Sequence, residues 1–299
     1  MKISEIKNKI VSLMPRAAWI AKGFGHPYKK GLMVGKNLIA LAVRQLCGYK
    51  DDGKFADFLW ESGIANVMGY KRKPHPSLFS KTRKHAENGV IDTFYNELVI
   101  EKSGGRMLRL IGEDSTDMPA FYINKDRNAK LGHRTKKKRE QDLDDRTGKN
   151  KKEKAYVFGY KLHLIEDCET GLPLTGVVKP ANEHDSQPFP ELFQHVSTNF
   201  EIQYGGKFLG DSAFDSAEIR KTVRTQNEMK DVIAINGRGH YPSETPKDPD
   251  YGKRWSLEQT NSVLEMVYNL ATSRMKGIKR AAVHAFSCLL ANFIEHFMN

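Results

Sequence analysis

Three carboxylates stand in this chain at positions that suit one shared site. Asp114 follows the apolar run Met107-Leu-Arg-Leu-Ile-Gly-Glu, and Asp211 follows Lys207-Phe-Leu-Gly. Glu258 closes the segment Tyr251-Gly-Lys-Arg254-Trp-Ser-Leu-Glu258, in the first turn of an expected helix. The separations are 97 and 47 residues. Hard divalent cations take oxygen ligands, and one or two carboxylates with substrate phosphates suffice to hold them. With a formal net charge of +12, such a set points to cutting or joining nucleic acid. Taken singly, each aspartate fits a turn or a helix cap. Glu258 fits the first turn of a helix that Ser256 and Gln259 would open as a capping box. Taken together they read as a site, because Asp-Ser recurs and Tyr251, Lys253 and Arg254 precede Glu258. Arg254 can grip a phosphate oxygen bidentately, and Tyr251 can stack on a base or sugar.

The elements that must position these residues change character near residue 104. Before it the chain reads as mostly helical, with helices expected over 35–47, 52–62, 77–87 and 90–100, and Ser103-Gly104-Gly105 marks a boundary. The first region, 1–104, is expected to bind DNA, and Lys81, Arg83 and Lys84 on its third helix are candidate phosphate contacts. After it, in 105–299, strands are expected over 107–114, 156–165 and 172–180, with Glu169-Thr170-Gly171 as a hairpin turn. A helix over 186–196, a strand ending at Asp211, a helix over 216–225, a strand over 231–236 and two closing helices, 257–275 and 279–297, complete an α/β pattern with a mixed sheet. Asp114 shares its strand face with Leu108, Leu110 and Gly112. Ligands in open α/β sheets gather at such strand ends.

Residues 125–154 form a basic insertion between the first two strands, with thirteen Lys or Arg against six Asp or Glu. It contains Lys136, Lys137, Lys138 and Arg139, which suit either a solvated loop or a phosphate clamp. Asp117 and Asp215 are alternative acids beside the proposed ones. His163 fits a packed strand histidine, and His184-Asp185 a loop and helix cap. The cysteines, Cys47, Cys168 and Cys288, have no C-x-x-C spacing, which argues against a zinc knuckle or a disulfide scaffold and for a reducing compartment. No apolar run of about 18 residues suggests a membrane span, and no secretory signal pattern opens the chain.

The residues also resemble a family. Tyr251-x2-Arg254-x3-Glu258 is similar to the Y-R-E signature of insertion-sequence transposases with a DDE active site. Glu113-Asp114-Ser-Thr resembles the segment with their first Asp, and Gly210-Asp211-Ser-Ala-Phe-Asp215-Ser the segment with their second. Phe158-Gly-Tyr-Lys-Leu-His163, Thr170-Gly-Leu-Pro-Leu and Pro180-Ala-Asn-Glu-His-Asp185 resemble the hairpin and loop between. The resemblance runs from about Arg106 to the C-terminus.

It implies an RNase H-like catalytic domain in which Asp114, Asp211 and Glu258 bind two Mg²⁺ or Mn²⁺ ions. It implies cleavage at terminal inverted repeats and strand transfer into target DNA by two-metal phosphoryl transfer. A homodimer on double-stranded DNA, in a prokaryotic cytoplasm at the nucleoid, is the expected setting. The family often has Lys seven residues after the Glu; here Glu265 stands there. A stand-alone nuclease or resolvase of the same fold, and a non-catalytic DNA-binding derivative, remain alternatives.

Overall fold

The computed structural model describes residues 1–23, 31–120, 127–137, 152–237, 244–272 and 276–298, with only the backbone for 22–23, 31–34, 133–137 and 152–155. Six helices come first: α1 (Ile3–Gly23), α2 (Gly31–Leu46), α3 (Asp52–Glu61), α4 (Ile64–Val67), α5 (Ser77–Ala86) and α6 (Val90–Ser103). Then come β1 (Leu108–Pro119), β2 (Lys130–Lys137), β3 (Lys152–Asp167), β4 (Leu172–Pro180), α7 (Phe189–Asn199), β5 (Ile202–Gly210), α8 (Ala217–Thr225) and β6 (Lys230–Ile233). A 3-10 turn over Tyr251–Arg254 runs into α9 (Trp255–Met266), a second covers Leu270–Thr272, and α10 (Ile278–His296) follows.

The sheet places β1 between β3 and β5, antiparallel to the first and parallel to the second. β4 lies outside β3 and β6 outside β5. Three antiparallel strands followed by two parallel ones, each reached through a helix, make the RNase H-like arrangement. Both faces of β1 are covered, so Leu110 and Ile111 are both buried although they point opposite ways. On the Ile111 face, Phe208 of β5 packs edge-on against Phe189 and Phe193 of α7. On the Leu110 face lies α9. A methyl on Gly112 would stand 2.8 Å from Leu257 Cδ1 and 2.9 Å from the Leu209 carbonyl. The missing side chain is what lets α9 approach β1 closely.

The first six helices do not stand apart from the sheet. Tyr95 of α6 donates a hydrogen bond to the Pro173 carbonyl of β4 at 2.6 Å. Its ring meets Phe286 and Phe293 of α10 edge-on. Helix α10 also packs on α2, and buried side chains of both regions form one continuous core. His284 of α10 joins them: its Nδ1 faces Gln45 Nε2 of α2 at 3.5 Å, and its Nε2 faces the Asn269 carbonyl at 3.2 Å.

Several expectations are corrected. β1 continues five residues past Asp114, which is therefore mid-strand. The basic insertion is not loop throughout, because β2 pairs with the first half of a longer β3. β3 changes neighbours at Gly159, where a Cβ would stand 2.2 Å from the Met118 carbonyl. Ser256 does not cap α9. The helix starts at Trp255, directly from the 3-10 turn, and the Ser256 hydroxyl faces the buried Glu166 carboxyl instead of the helix start. Helix α9 is also shorter than expected, ending at Met266 before Asn269, which takes a positive φ of 60°. Among the described residues no helix is long and apolar enough to cross a membrane.

Two outcomes follow from this packing. Gly112→Ala should lower stability by roughly 1–3 kcal/mol, since one of the colliding atoms is a backbone carbonyl that cannot rotate away; chemical denaturation checks it. Burial holds the His284 pKa down, to about 4, and burial lowers that of His163 to about 4 as well. Unfolded histidine takes up its proton near pH 6.5, so the unfolded chain binds more protons below that value. Stability should fall as pH drops from about 6.5 to about 4, by up to roughly 1.4 kcal/mol per unit for each histidine. His284→Asn should flatten this slope in thermal unfolding across that range.

Candidate active site

The parallel pairing of β1 with β5 sets the site. Leu110, Ile111 and Gly112 stand opposite Lys207, Phe208 and Leu209. The ladder stops there, two residues short of both aspartates, and the two carboxylates lie near enough to raise the Asp114 pKa through their mutual repulsion. Adjacent strands lie roughly 4.8 Å apart, so two acids far apart in sequence become neighbours. β5 ends at Gly210 while β1 runs on to Pro119.

Each carboxylate is partly engaged. Asp114 accepts the Ser115 amide at 2.9 Å and the Asn261 side-chain amide at 3.1 Å. Asp211 caps the short 3-10 turn over Ser212–Phe214, accepting the Ala213 amide at 2.8 Å. The cap reading of Asp211 therefore holds alongside its place in the site. Burial pushes the Asp114 pKa up to about 6; the Ser115 amide and Arg254 pull it down, and Asp211 and Asp185 push it further up.

Glu258 lies in the first turn of α9, half exposed, and its carboxylate pairs with Arg254 four residues back. Burial works against the Arg254 charge, but Asp114, Glu258, Tyr251 and Asp211 more than offset it and raise its pKa. The cation among the three acids in this structure is thus the Arg254 guanidinium. Tyr251 lies within reach of Arg254, Asp211 and Glu258, and Lys253 is exposed beside it. Among the described residues, no three His, Cys, Asp or Glu side chains are drawn together tightly enough to hold a metal ion. The site is convergent, but it is closed around an arginine.

Its surroundings include residues that the sequence reading did not assign. Asn261, one turn after Glu258, orients Asp114; the i, i+3 spacing on an expected helix was the available signal. Asp185 was read as part of a loop and cap. Here Pro188 precedes α7, and Asp185 accepts from Ser115 Oγ and Lys161 Nζ, both at 2.9 Å, on the opposite face from Asp114. Glu113 is buried on that face with both oxygens unpaired, and burial, reinforced by Asp185, Asp114 and Asp211, holds its pKa well above the usual range. No local pattern marks such a residue, because its burial comes from α7 and the loop packed over it. Glu265, at the position where Lys is frequent, accepts from Thr116 Oγ1 and so makes a structural contact instead of offering a cation.

The remaining candidates divide. Asp215 is held by Arg220 at 2.8 Å and by the Asn236 amide at 2.9 Å, and so serves the fold. His163 is buried, as a packed strand histidine should be. Arg83 turns inward to Asp52, which Arg44 also holds, while Lys81 and Lys84 remain exposed. Lys136 and Lys137 end β2, and Lys138 and Arg139 lie outside the described residues.

Among solved structures, the chain is similar to a piggyBac transposase in a synaptic complex with hairpin DNA, at 11% identity and a TM-score of 0.38, over 98% of this chain and 72% of that one. That likeness is too weak to argue from. No curated protein matches. The family model for the transposase DDE domain matches residues 114–294, more than half of the chain, beginning at the first of the three acids. On that match the chain belongs to the transposase DDE domain family and is a DNA transposase.

Proposed function

We propose that Asp114, Asp211 and Glu258 form the active site for metal-dependent cleavage at transposon ends and for strand transfer into target DNA. The observation that supports this most is the proximity of Asp114 and Asp211, 97 residues apart in the chain, just past the paired stretch of β1 and β5. Their donor set is all oxygen, which suits Mg²⁺ or Mn²⁺. A recessed Asp114 with its pKa raised to about 6 beside other acids is a group that bound positive charge would favour. Two such ions, held by the three carboxylates, would supply an activated water or 3′-hydroxyl and charge stabilisation on the leaving oxygen.

The chain's own residues do the positioning. Asn261 holds one oxygen of Asp114 and so fixes the plane of its carboxylate. Arg254 exchanges Glu258 for a phosphate oxygen of the DNA, which frees Glu258 to turn toward the aspartates. Tyr251 packs on the adjoining sugar or base, and exposed Lys253 contacts the next phosphate. Lys81 and Lys84 on α5, with Lys136, Lys137, Lys138 and Arg139 of the basic insertion, bind the flanking duplex. A homodimer on DNA would bring the two inverted repeats and the target together.

The test uses purified protein, Mg²⁺ and a duplex carrying one element end. Nicking at the end and joining of the freed 3′-hydroxyl to a second duplex are expected. Asp114→Asn, Asp211→Asn and Glu258→Gln should each lower both steps by roughly 10³-fold or more, as for groups that act as a unit. Each should still bind the duplex within about threefold, since neither base nor backbone contacts are removed. Cutting without joining would instead identify a stand-alone nuclease, and undiminished cleavage by Asp114→Asn would end the proposal.

A further inference from the structure

Away from the three acids, two adjoining cavities run between the N-terminal helices and the start of α10. One, of about 400 Å³, is lined by Lys81, Arg83 and Lys84 of α5. The other, of about 690 Å³, is lined by Arg127, Lys276 and Lys279. Glu87 and Arg280 line both, so the two form one groove. Among the described lining residues Glu87 is the one acid, and it is already paired with Arg280 at 3.0 Å. Lys81, Lys84, Arg127, Lys276 and Lys279 are exposed and have no acidic partner among the described residues. The groove therefore carries surplus positive charge contributed by three separate segments of the chain.

Among the described residues, no aromatic side chain lines either cavity. Single-stranded nucleic acid is typically held by bases stacked on aromatic rings, and the described lining offers no such platform. Exposed lysines and an arginine drawn from separate segments match evenly spaced phosphates. The groove is tied to the site through the sheet. Lys130, three residues after Arg127, shares Gly159 of β3 as a neighbour with Pro119, at the far end of β1. The five residues from Asp114 to Pro119 span roughly 17 Å of extended strand, or about five base-pair steps of a duplex.

We propose that this groove holds the sugar–phosphate backbone of duplex DNA flanking the cleaved position, without reading its sequence. The proposal takes only the identity of the polyanion from the transposase reading. It adds the start of α10 and Arg127, both in the catalytic half of the chain, to the DNA path.

The test measures binding alone, with the full chain in EDTA, on an element-end duplex and on a scrambled duplex of equal length, across 50–200 mM salt. The variant Arg127→Ala/Lys276→Ala/Lys279→Ala should lose about tenfold or more in affinity on both duplexes. Its slope of log affinity against log salt should become shallower by roughly 2 to 3, at about 0.9 per lost phosphate contact. A control variant, Lys2→Ala/Lys50→Ala/Lys221→Ala, removes equal charge from exposed positions elsewhere and should change both quantities far less. Unchanged affinity and slope in the first variant, an equal loss in the control, or a loss confined to the element-end duplex would each overturn the groove. If the unsubstituted chain binds through these residues but never cleaves, the groove stands and the enzymatic reading falls. If it cleaves while the triple variant binds normally, the reverse holds.

Discussion

One backbone register governs this molecule. Parallel pairing of β1 with β5 runs to two residues short of both aspartates, and it brings Asp211 near Asp114. Two like charges in a recessed place repel, and burial raises the Asp114 pKa further. The structure answers with Arg254, whose guanidinium interacts with both aspartates and pairs with Glu258. Everything that fixes Arg254 therefore serves the acids. That includes the 3-10 turn running straight into α9 and the close seat of Leu257 over Gly112.

The second constraint is the shared core. Helix α10 buries side chains around most of its circumference, from Ala281 to Ile294. It does so because the sheet lies on one side and the first six helices on the other. Tyr95 bonds to β4 while its ring meets α10, and His284 bridges α2 to the turn after α9. Movement of the N-terminal helices would disturb the same interior that supports α9. The basic groove between α5 and α10 lies on this junction, so contact with DNA there would reach both halves of the chain at once.

Much of the architecture was legible because it rests on local chemistry. β4 spans Leu172–Pro180 as expected, since Gly171 takes the positive φ of 71° that a tight turn needs. Ser216 caps α8 by accepting the Ile219 amide at 3.1 Å, a pattern written in neighbouring residues. The failures come from long-range packing. Ser256 has the right type and spacing for a cap, yet it faces inward, because the preceding 3-10 turn already supplies the start of α9. Asp185 is the loop residue it was expected to be, yet it caps no helix, because Ser115 and Lys161, contributed by two strands, donate to its carboxylate. Arg83 has the composition of a DNA contact and is turned inward by Asp52, 31 positions earlier.

By itself the amino-acid sequence determined the residue types that could do the chemistry, the strands and helices that carry them, and the basic charge of the whole. Those follow from side-chain alternation, turn residues and composition, which act over a few positions. Only the tertiary structure decided which acids meet and which stay apart, and that an arginine stands among them. It also decided that lysines distant in the chain share one groove. Such outcomes depend on strand register and on burial by elements far away in sequence, and no short stretch of residues encodes either.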